Sequence, residues 1–338
     1  MKGIEIVGGG LAGLSLGIAL RKRGVPVLVR EAGSYPRHRV CGEFINGVTA
    51  ETLGNLGIAG LFKKALRHEA TRWWMGDRCI LEAKLTRPAL GMSRWEMDEL
   101  LRREFERLGG NLSVHDRAKV GAREGLVWTA GRHLEKSSEL LGLKAHFTGI
   151  ELDGFLEMHI GEGVYVGLTP VSEDGSKVNV CGLFKKGPRV KGMNPLVDAL
   201  QRGGLGRLAE CLKEAEMDGG SLTGISGFQL GRQGGESAML TLGDSERMIP
   251  PFTGNGMSMA FESAECALGP LLRYAESGQQ WEDARSEVCD LLEKRFRSRV
   301  NLALGLHRCL TWPLGRMALT AAAVSGVLPF AWLHRKLC

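Results

Sequence analysis

The sequence predicts an α/β fold, α+β overall: a dinucleotide-binding domain on a parallel sheet, an inserted antiparallel-sheet domain, and C-terminal helices. Three observations predict it. Ile4–Glu31 runs strand, glycine turn, helix, strand; extended blocks at 71–92 and 144–190 interrupt that α/β pattern; and the chain beyond residue 280 reads as helix, mixed basic and apolar.

The first observation is the most specific. Ile4–Val7 is an apolar strand, Gly8, Gly10 and Gly13 follow in G-x-G-x-x-G spacing, and Leu11–Lys22 is an apolar helical stretch. A second strand, Val25–Val29, ends on Arg30-Glu31. In such a Rossmann-type unit the glycines allow a tight turn and close approach of a pyrophosphate to the helix N-terminus. Glu31 falls where a carboxylate can accept from a ribose diol. The unit is expected to bind an ADP-ribose moiety.

Downstream, Arg37–Gly47 reads as a loop, Thr49–Leu66 as a helix, and 71–92 as two or three antiparallel strands. Arg94–Gly109 is an amphipathic helix, followed by strand-like pieces at 112–115, 118–122 and 126–129. The second extended block covers 155–160, 163–169 and 177–184; Pro195–Glu216 is loosely helical, Met239–Asp244 a short strand and Gly256–Ser277 a strong helix. These assignments divide the chain into a discontinuous cofactor domain (1–70, 93–143, 236–280), a substrate domain (71–92, 144–235) and a helical tail (281–338).

Composition is that of a globular protein with 48 glycines among 338 residues, well above ordinary usage. Eight cysteines show no C-x-x-C pair or metal spacing, and the N-terminus enters a strand directly. Reduced thiols, no bound metal and a cytoplasmic setting are expected. Eight Lys/Arg and no Asp or Glu lie between Lys294 and Cys338. The apolar run Met317–Leu333 is broken by Ser325-Gly326 and Pro329, so a peripheral membrane contact through 294–338 is weighed against a packed helical layer. Nucleic-acid binding is not expected, for the tail has no motif and no interleaved aromatics. Nor is there a Walker lysine, an H-E-x-x-H or a serine-hydrolase order.

A second motif is Leu242–Ala260. Gly243-Asp244 ends a strand, a turn through Pro251 follows, and Gly254, Asn255 and Gly256 open a helix. Asp244 can accept from a ribityl hydroxyl, and the amides at 254–256 can stabilise negative charge on a flavin ring. With the glycine unit, Glu31 and Arg94-x-x-x-Asp98, this resembles the FAD-dependent group A monooxygenases and geranylgeranyl reductases, which share the para-hydroxybenzoate hydroxylase fold. The likeness spans roughly residues 1–275. Arg37–Ile45 around Cys41-Gly42, and Val164–Phe184, are more similar to the reductase branch.

The resemblance implies FAD between the two domains, with Arg39 and Arg94 near its phosphates or ring. It implies an oxidoreductase acting on a small apolar molecule, expected first as a reductase of C=C bonds in an isoprenoid- or polyketide-like substrate by hydride transfer from reduced flavin. The alternatives are a monooxygenase or halogenase working through a flavin hydroperoxide, and a non-catalytic flavoprotein subunit at a membrane. The family's Asp-Gly fingerprint falls on Trp128–Arg132, where the Asp is missing, so NADPH competes with another donor or a reducing partner protein. Cys41 is the expected proton donor at the flavin. Of Trp73 and Trp74, alternating on one strand, one is expected to line the substrate cavity, with Tyr165 also near substrate.

Overall fold

The structure, a computed structural model, describes residues 1–187, 194–233 and 238–338. The expected domain boundary at 235–236 lies outside them. In chain order the strands are β1 (Ile4–Val7), β2 (Val27–Arg30), β3 (Phe44–Ile45), β4 (Leu66–Met75), β5 (Arg78–Gly91), β6 (Asn111–Ser113), β7 (Leu126–Trp128), β8 (Leu140–Thr148), β9 (Phe155–Gly161), β10 (Val164–Pro170), β11 (Lys177–Lys185), β12 (Glu216–Ser226), β13 (Gly231–Arg232), β14 (Leu240–Thr241) and β15 (Arg247–Met248). The helices are α1 (Leu11–Arg21), α2 (Ala50–Asn55), α3 (Arg94–Arg107), α4 (Pro195–Arg202), α5 (Gly206–Glu214), α6 (Gly256–Ala275), α7 (Trp281–Thr311), α8 (Pro313–Val324) and α9 (Phe330–Leu337).

Two sheets organise these elements. One is wholly parallel, in the order β14-β7-β1-β2-β6. Its short strands are apolar because helices cover it, and α1 is buried almost all round between the sheet, α3 and α6. The second sheet has eight strands, β12-β8-β11-β10-β9-β4-β5-β3. Its pairings are antiparallel with one exception: β4 runs parallel to β9. An all-antiparallel sheet was the expectation. The exception arises because β4 and β9 enter from separate excursions out of the cofactor domain, with α3, β6 and β7 between them.

Alternation along the second sheet sorts its residues between two faces. Val164, Val166, Val178 and Val180 point with Phe147 towards α4 and α5, forming one apolar core. Tyr165, Thr169, Asn179, Cys181, Lys144 and His146 share the opposite parity; the register sets Thr169 against Asn179, Asn179 against His146, and Cys181 against Lys144. That face looks towards the cofactor domain and α7. A third cluster joins Met158, Ile160 and Tyr165 of this face to Phe252 and Leu310.

Three local expectations are corrected. Residues 118–122 form no strand; they carry a Lys-Val-Gly sequence on a largely exposed loop. The strand expected over 239–244 is only Leu240–Thr241, because Gly243, at a φ of 60°, turns the chain into a 3-10 turn. Helix ends at Glu214, and Glu216 already belongs to the long edge strand β12. All eight cysteines are free thiols, and among the described residues no helix is long and apolar enough to cross a membrane.

Candidate flavin and substrate site

The dinucleotide end is built on the β1–α1 turn. Gly8 has a φ of 106° and a Cβ there would collide with the Thr129 carbonyl, so only glycine serves. Gly13 sits directly under the Gly8 carbonyl. At Gly10, by contrast, a Cβ would meet no atom within 4 Å, which leaves the helix start open to a ligand. Glu31 is buried and its carboxylate faces this turn, accepting from the Gly9 amide at 2.9 Å, the Gly33 amide at 2.8 Å and Arg37 at 2.8 Å. The Tyr35 hydroxyl donates to the Gly9 carbonyl. Burial, with the Glu31 charge beside it, pushes that phenol far above its usual range, so it stays a donor.

Arg39 and Arg94 converge on one buried carboxylate. Arg94 grips Asp98 with two bonds, 2.8 and 2.9 Å, and Arg39 donates to it at 2.7 Å. Burial alone would raise the Asp98 carboxyl, but these guanidiniums hold it below the ordinary carboxylate range. Three arginines (Arg37, Arg39, Arg94) thus face two carboxylates (Glu31, Asp98), a local surplus of positive charge. Arg39 Nη2 and Arg37 Nε are buried without a hydrogen-bond partner. That surplus and those open donors are what a pyrophosphate requires.

The Arg37–Ile45 loop then passes between the sheets. The Cys41 carbonyl accepts from Asn179 at 3.0 Å, and Cys41 Sγ lies 3.5 Å from Met257 Sδ in the first turn of α6. Burial pushes the thiol up, against the opposing pull of Arg94, so Cys41 is a protonated thiol at neutral pH. Gly42 leaves room for the Phe44 ring. Glu43 is wholly buried between Lys144 at 3.3 Å, His146 at 2.6 Å and the Arg94 amide at 3.0 Å. Burial would raise its carboxyl; the His146 hydrogen bond and the Lys144 charge bring it below the ordinary value. Lys144 also donates to His38 Nδ1 at 3.0 Å. Burial, Lys144 and His146 together lower His38 to about 4.

The α6 end closes the site. Gly243 is anchored through its amide to Ser263 Oγ at 3.1 Å, and Pro251 opens the 3-10 turn Pro251–Thr253. Gly254 takes a φ of 66° and has its Cα against the Phe44 ring, so a side chain there would displace Phe44. Asn255 is fully buried; its Nδ2 donates to the Asn46 carbonyl at 2.9 Å while its Oδ1 has no partner. A Cβ at Gly256 meets nothing within 4 Å. Asp244 sits beside Arg132 and Arg94, and burial raises its carboxyl despite both cations. Arg132 lies 4.3 Å over the Phe228 ring with Nε and Nη2 buried and unpaired. Open space at Gly10 and Gly256, orphaned donors on Arg39 and Arg132, and the orphaned Asn255 oxygen together fit a bound FAD.

Beyond Gly254 an apolar cavity lies against β4, β9 and β10. Trp73, Leu156, Met158, Leu168 and Thr169 form its floor, Phe44, Asn46 and Phe252 its cofactor-side wall, and Leu310, Leu319, Leu328, Phe330 and Leu333 its roof. No lysine or arginine lines it. Trp73 faces the cavity and meets Phe330 edge-on at 6.0 Å, while Trp74 points away and stacks on His159 at 5.7 Å. Tyr165 is not in the lining; it packs behind Phe252, 5.9 Å between ring centres, with its hydroxyl buried and unpartnered. The Thr169 hydroxyl and Asn179 Oδ1 are orphaned likewise.

Several residues here carry no local signal in the sequence. Glu43, Lys144, His146 and Asn179 come together only through sheet register. Asn46 donates to the Thr253 carbonyl at 3.2 Å and accepts from His334 Nε2 at 3.0 Å, tying α9 to the α6 loop. His334 Nδ1 accepts from the Thr86 amide at 3.3 Å, which fixes its tautomer.

Residues 2–146 match the FAD binding domain family. No curated relative matches the chain. Among solved structures the chain is similar to p-nitrophenol 4-monooxygenase PnpA of Pseudomonas putida DLL-E4, at 15% identity and a TM-score of 0.78 over 100% of this chain and 96% of that one. It is similar to the flavin-dependent brominase Bmp2, at 20% identity and 0.74 over 99% and 92%. The third is Pseudomonas aeruginosa PqsL in complex with 2-aminobenzoylacetate, at 14% identity and 0.74 over 96% and 98%. Likeness at such identities carries the fold, and the family match carries the cofactor. The match makes residues 2–146 an FAD binding domain, and over nearly its whole length the chain has the fold of these three structures.

Proposed function

We propose that the chain is an FAD-dependent monooxygenase that inserts one oxygen atom into a neutral, apolar small molecule held in the cavity roofed by α8 and α9. The observation that carries this reading is the cavity itself: lined mostly by apolar side chains, without a lysine or arginine, and adjoining the Gly254–Gly256 cofactor end. A carboxylate substrate buried there would lack a counter-charge and is disfavoured. The orphaned Thr169 hydroxyl lines the wall and is available to a substrate hydroxyl or carbonyl.

Bound FAD supplies the redox chemistry: one atom of dioxygen goes to the substrate and the other leaves as water, with two electrons and two protons from a donor. The chain does the rest. Arg37, Arg39 and Arg132 would hold the phosphates, and Glu31 keeps the glycine turn in shape. The amides at the α6 start would stabilise negative charge on a reduced flavin bound there. The apolar roof keeps water from the reacting atoms. Cys41, a thiol kept protonated by burial, can give up a proton beside the ring.

Oxygenation is favoured over C=C reduction because two of the similar folds are a monooxygenase and a brominase. Halogenation remains the second reading on the strength of that brominase. The test supplies chemically reduced protein, which removes the question of the natural donor, and a panel of neutral phenols and prenylated aromatics. Under labelled dioxygen, product carrying one heavy oxygen is expected. Brominated product in the presence of bromide would replace the reading with halogenation, and a reduced double bond without oxygen uptake would sink it. Cys41→Ser is expected to retain flavin and slow turnover roughly tenfold or more.

A further inference from the structure

We propose that α8 and α9 form a platform that seats the protein on an anionic lipid surface, with one face of α8 lying at the acyl boundary. Twelve large hydrophobic side chains are exposed among the described residues, and six of them fall within Trp312–Trp332. Met317 is 67% exposed and Val327 71%. On α8, Leu314, Met317, Ala318, Ala321 and Val324 are all exposed, and at about 100° per residue they span an arc of about 120°. The inner side of α8 carries Leu319, which lines the cavity roof, and Ala322 and Ala323, with Arg316 and Thr320 beside them. A stripe of apolar side chains belongs in a buried setting, yet among the described residues nothing lies over this one.

The charges select the occupant. No Asp or Glu occurs from Lys294 to Cys338. Arg295 and Arg299 are taken up by Glu262, and Arg297 by Glu293. Arg308, Arg316, Arg335 and Lys336 make no ion pair among the described residues, nor does Arg87 on β5, the strand that α8 and α9 pack against. A second copy of the chain, related by a two-fold axis, would bring these cations face to face. An anionic bilayer offers apolar depth for the stripe and negative headgroups for the rim. Trp312 and Trp332, both exposed, flank the stripe as interfacial anchors do. The twelve residues of α8 reach about 18 Å, too short to cross, so the helix lies in the surface plane. Because the same helices roof the cavity, the inference deepens the proposed function by naming the bilayer as the phase from which an apolar substrate enters.

The experiment is flotation of the FAD-loaded full chain with vesicles of phosphatidylcholine alone or of phosphatidylcholine with phosphatidylglycerol. It needs no substrate, so its failure leaves the oxygenation reading standing, and the converse holds. Flotation with the anionic vesicles is expected, with binding weakened roughly tenfold or more by high salt or by Met317→Glu with Val324→Glu. Both residues are exposed, so flavin content and melting temperature should hold. Arg335→Glu with Lys336→Glu gives an independent variant with the same expected loss. Three outcomes overturn the proposal: no flotation, equal flotation of the variants, or a dimer in sedimentation that Met317→Glu with Val324→Glu dissolves. Capture by an acidic soluble protein in place of vesicles would overturn it too.

Discussion

The cofactor end and the substrate cavity lie side by side in this molecule and obey opposite rules. At the cofactor end the buried carboxylates are all paired: Glu31 with Arg37, Asp98 with Arg94 and Arg39, Glu43 with Lys144 and His146. In and behind the cavity most groups are apolar, and polar atoms on Thr169, Tyr165 and Asn179 have no partner. The first region is a network of paired charges with a few donors left open, and the second an apolar space with a few polar atoms left open; both keep capacity for a group from outside.

Substitutions should therefore behave differently in the two regions. The largest effect is expected for Asp98→Ala, which strands buried Arg94 without its counter-charge. A loss of about 3–5 kcal/mol of stability should appear in denaturant unfolding, together with loss of flavin on gel filtration. If flavin and stability both survive, the paired network is not what holds this end. In the cavity, Trp73→Ala removes floor area under the roof. KM for the preferred substrate should rise roughly tenfold with flavin affinity unchanged, as titration against flavin fluorescence would show. Smaller still, Thr169→Val trades an orphaned hydroxyl for a methyl. Unfolding should place it within about 1 kcal/mol of the parent or above it, whereas a clear loss would mean the hydroxyl has a partner in the resting protein.

A further test sharpens the comparison through pH. His38 is pushed down to about 4 from an ordinary 6.5 by burial, Lys144 and His146. Glu43 behind them and the exposed Asp218 oppose the shift, and Trp95 stacks on the ring at 4.6 Å. The folded protein then binds fewer protons than the unfolded chain between those values. This contribution is intact above pH 6.5 and fades as pH falls towards 4. His38→Gln should flatten that slope in melting temperature against pH; an unchanged slope would assign it to other groups.

What the sequence made legible follows the same division. The glycine turn, Glu31, Asp244 and the Gly254–Gly256 helix start are local: a few neighbouring residues and their spacing specify the backbone, so the reading from letters to geometry is short. Arg39 and Arg94 were readable as belonging near the cofactor, and Asp98, their shared partner, through the Arg94-x-x-x-Asp98 spacing. Glu43, Lys144 and His146 were not. Lys144 and His146 sit on β8 and meet Glu43 only after strands far apart in sequence settle into register, and a one-residue slip would turn both to the other face. Arg132 has no local signal of its own; it stands two positions after Ala130, where the family's Asp is missing. The roof could not be read either, since whether an apolar helix covers a cavity or a membrane depends on which of its sides meets the sheet.

The parallel join of β4 to β9 has a consequence for how the chain is made. The β4–β5 hairpin is synthesised with the first hundred residues, but the strand that covers its inner edge arrives only after α3, β6, β7 and β8. Until β9 emerges, the hairpin waits with an open edge, and the parallel sheet waits for β14, later still. Both sheets are thus completed by strands far along the chain, which raises the contact order of the fold. A fragment ending at residue 146, where the FAD binding domain match stops, would end inside β8 and leave β4 as an unpaired edge prone to association.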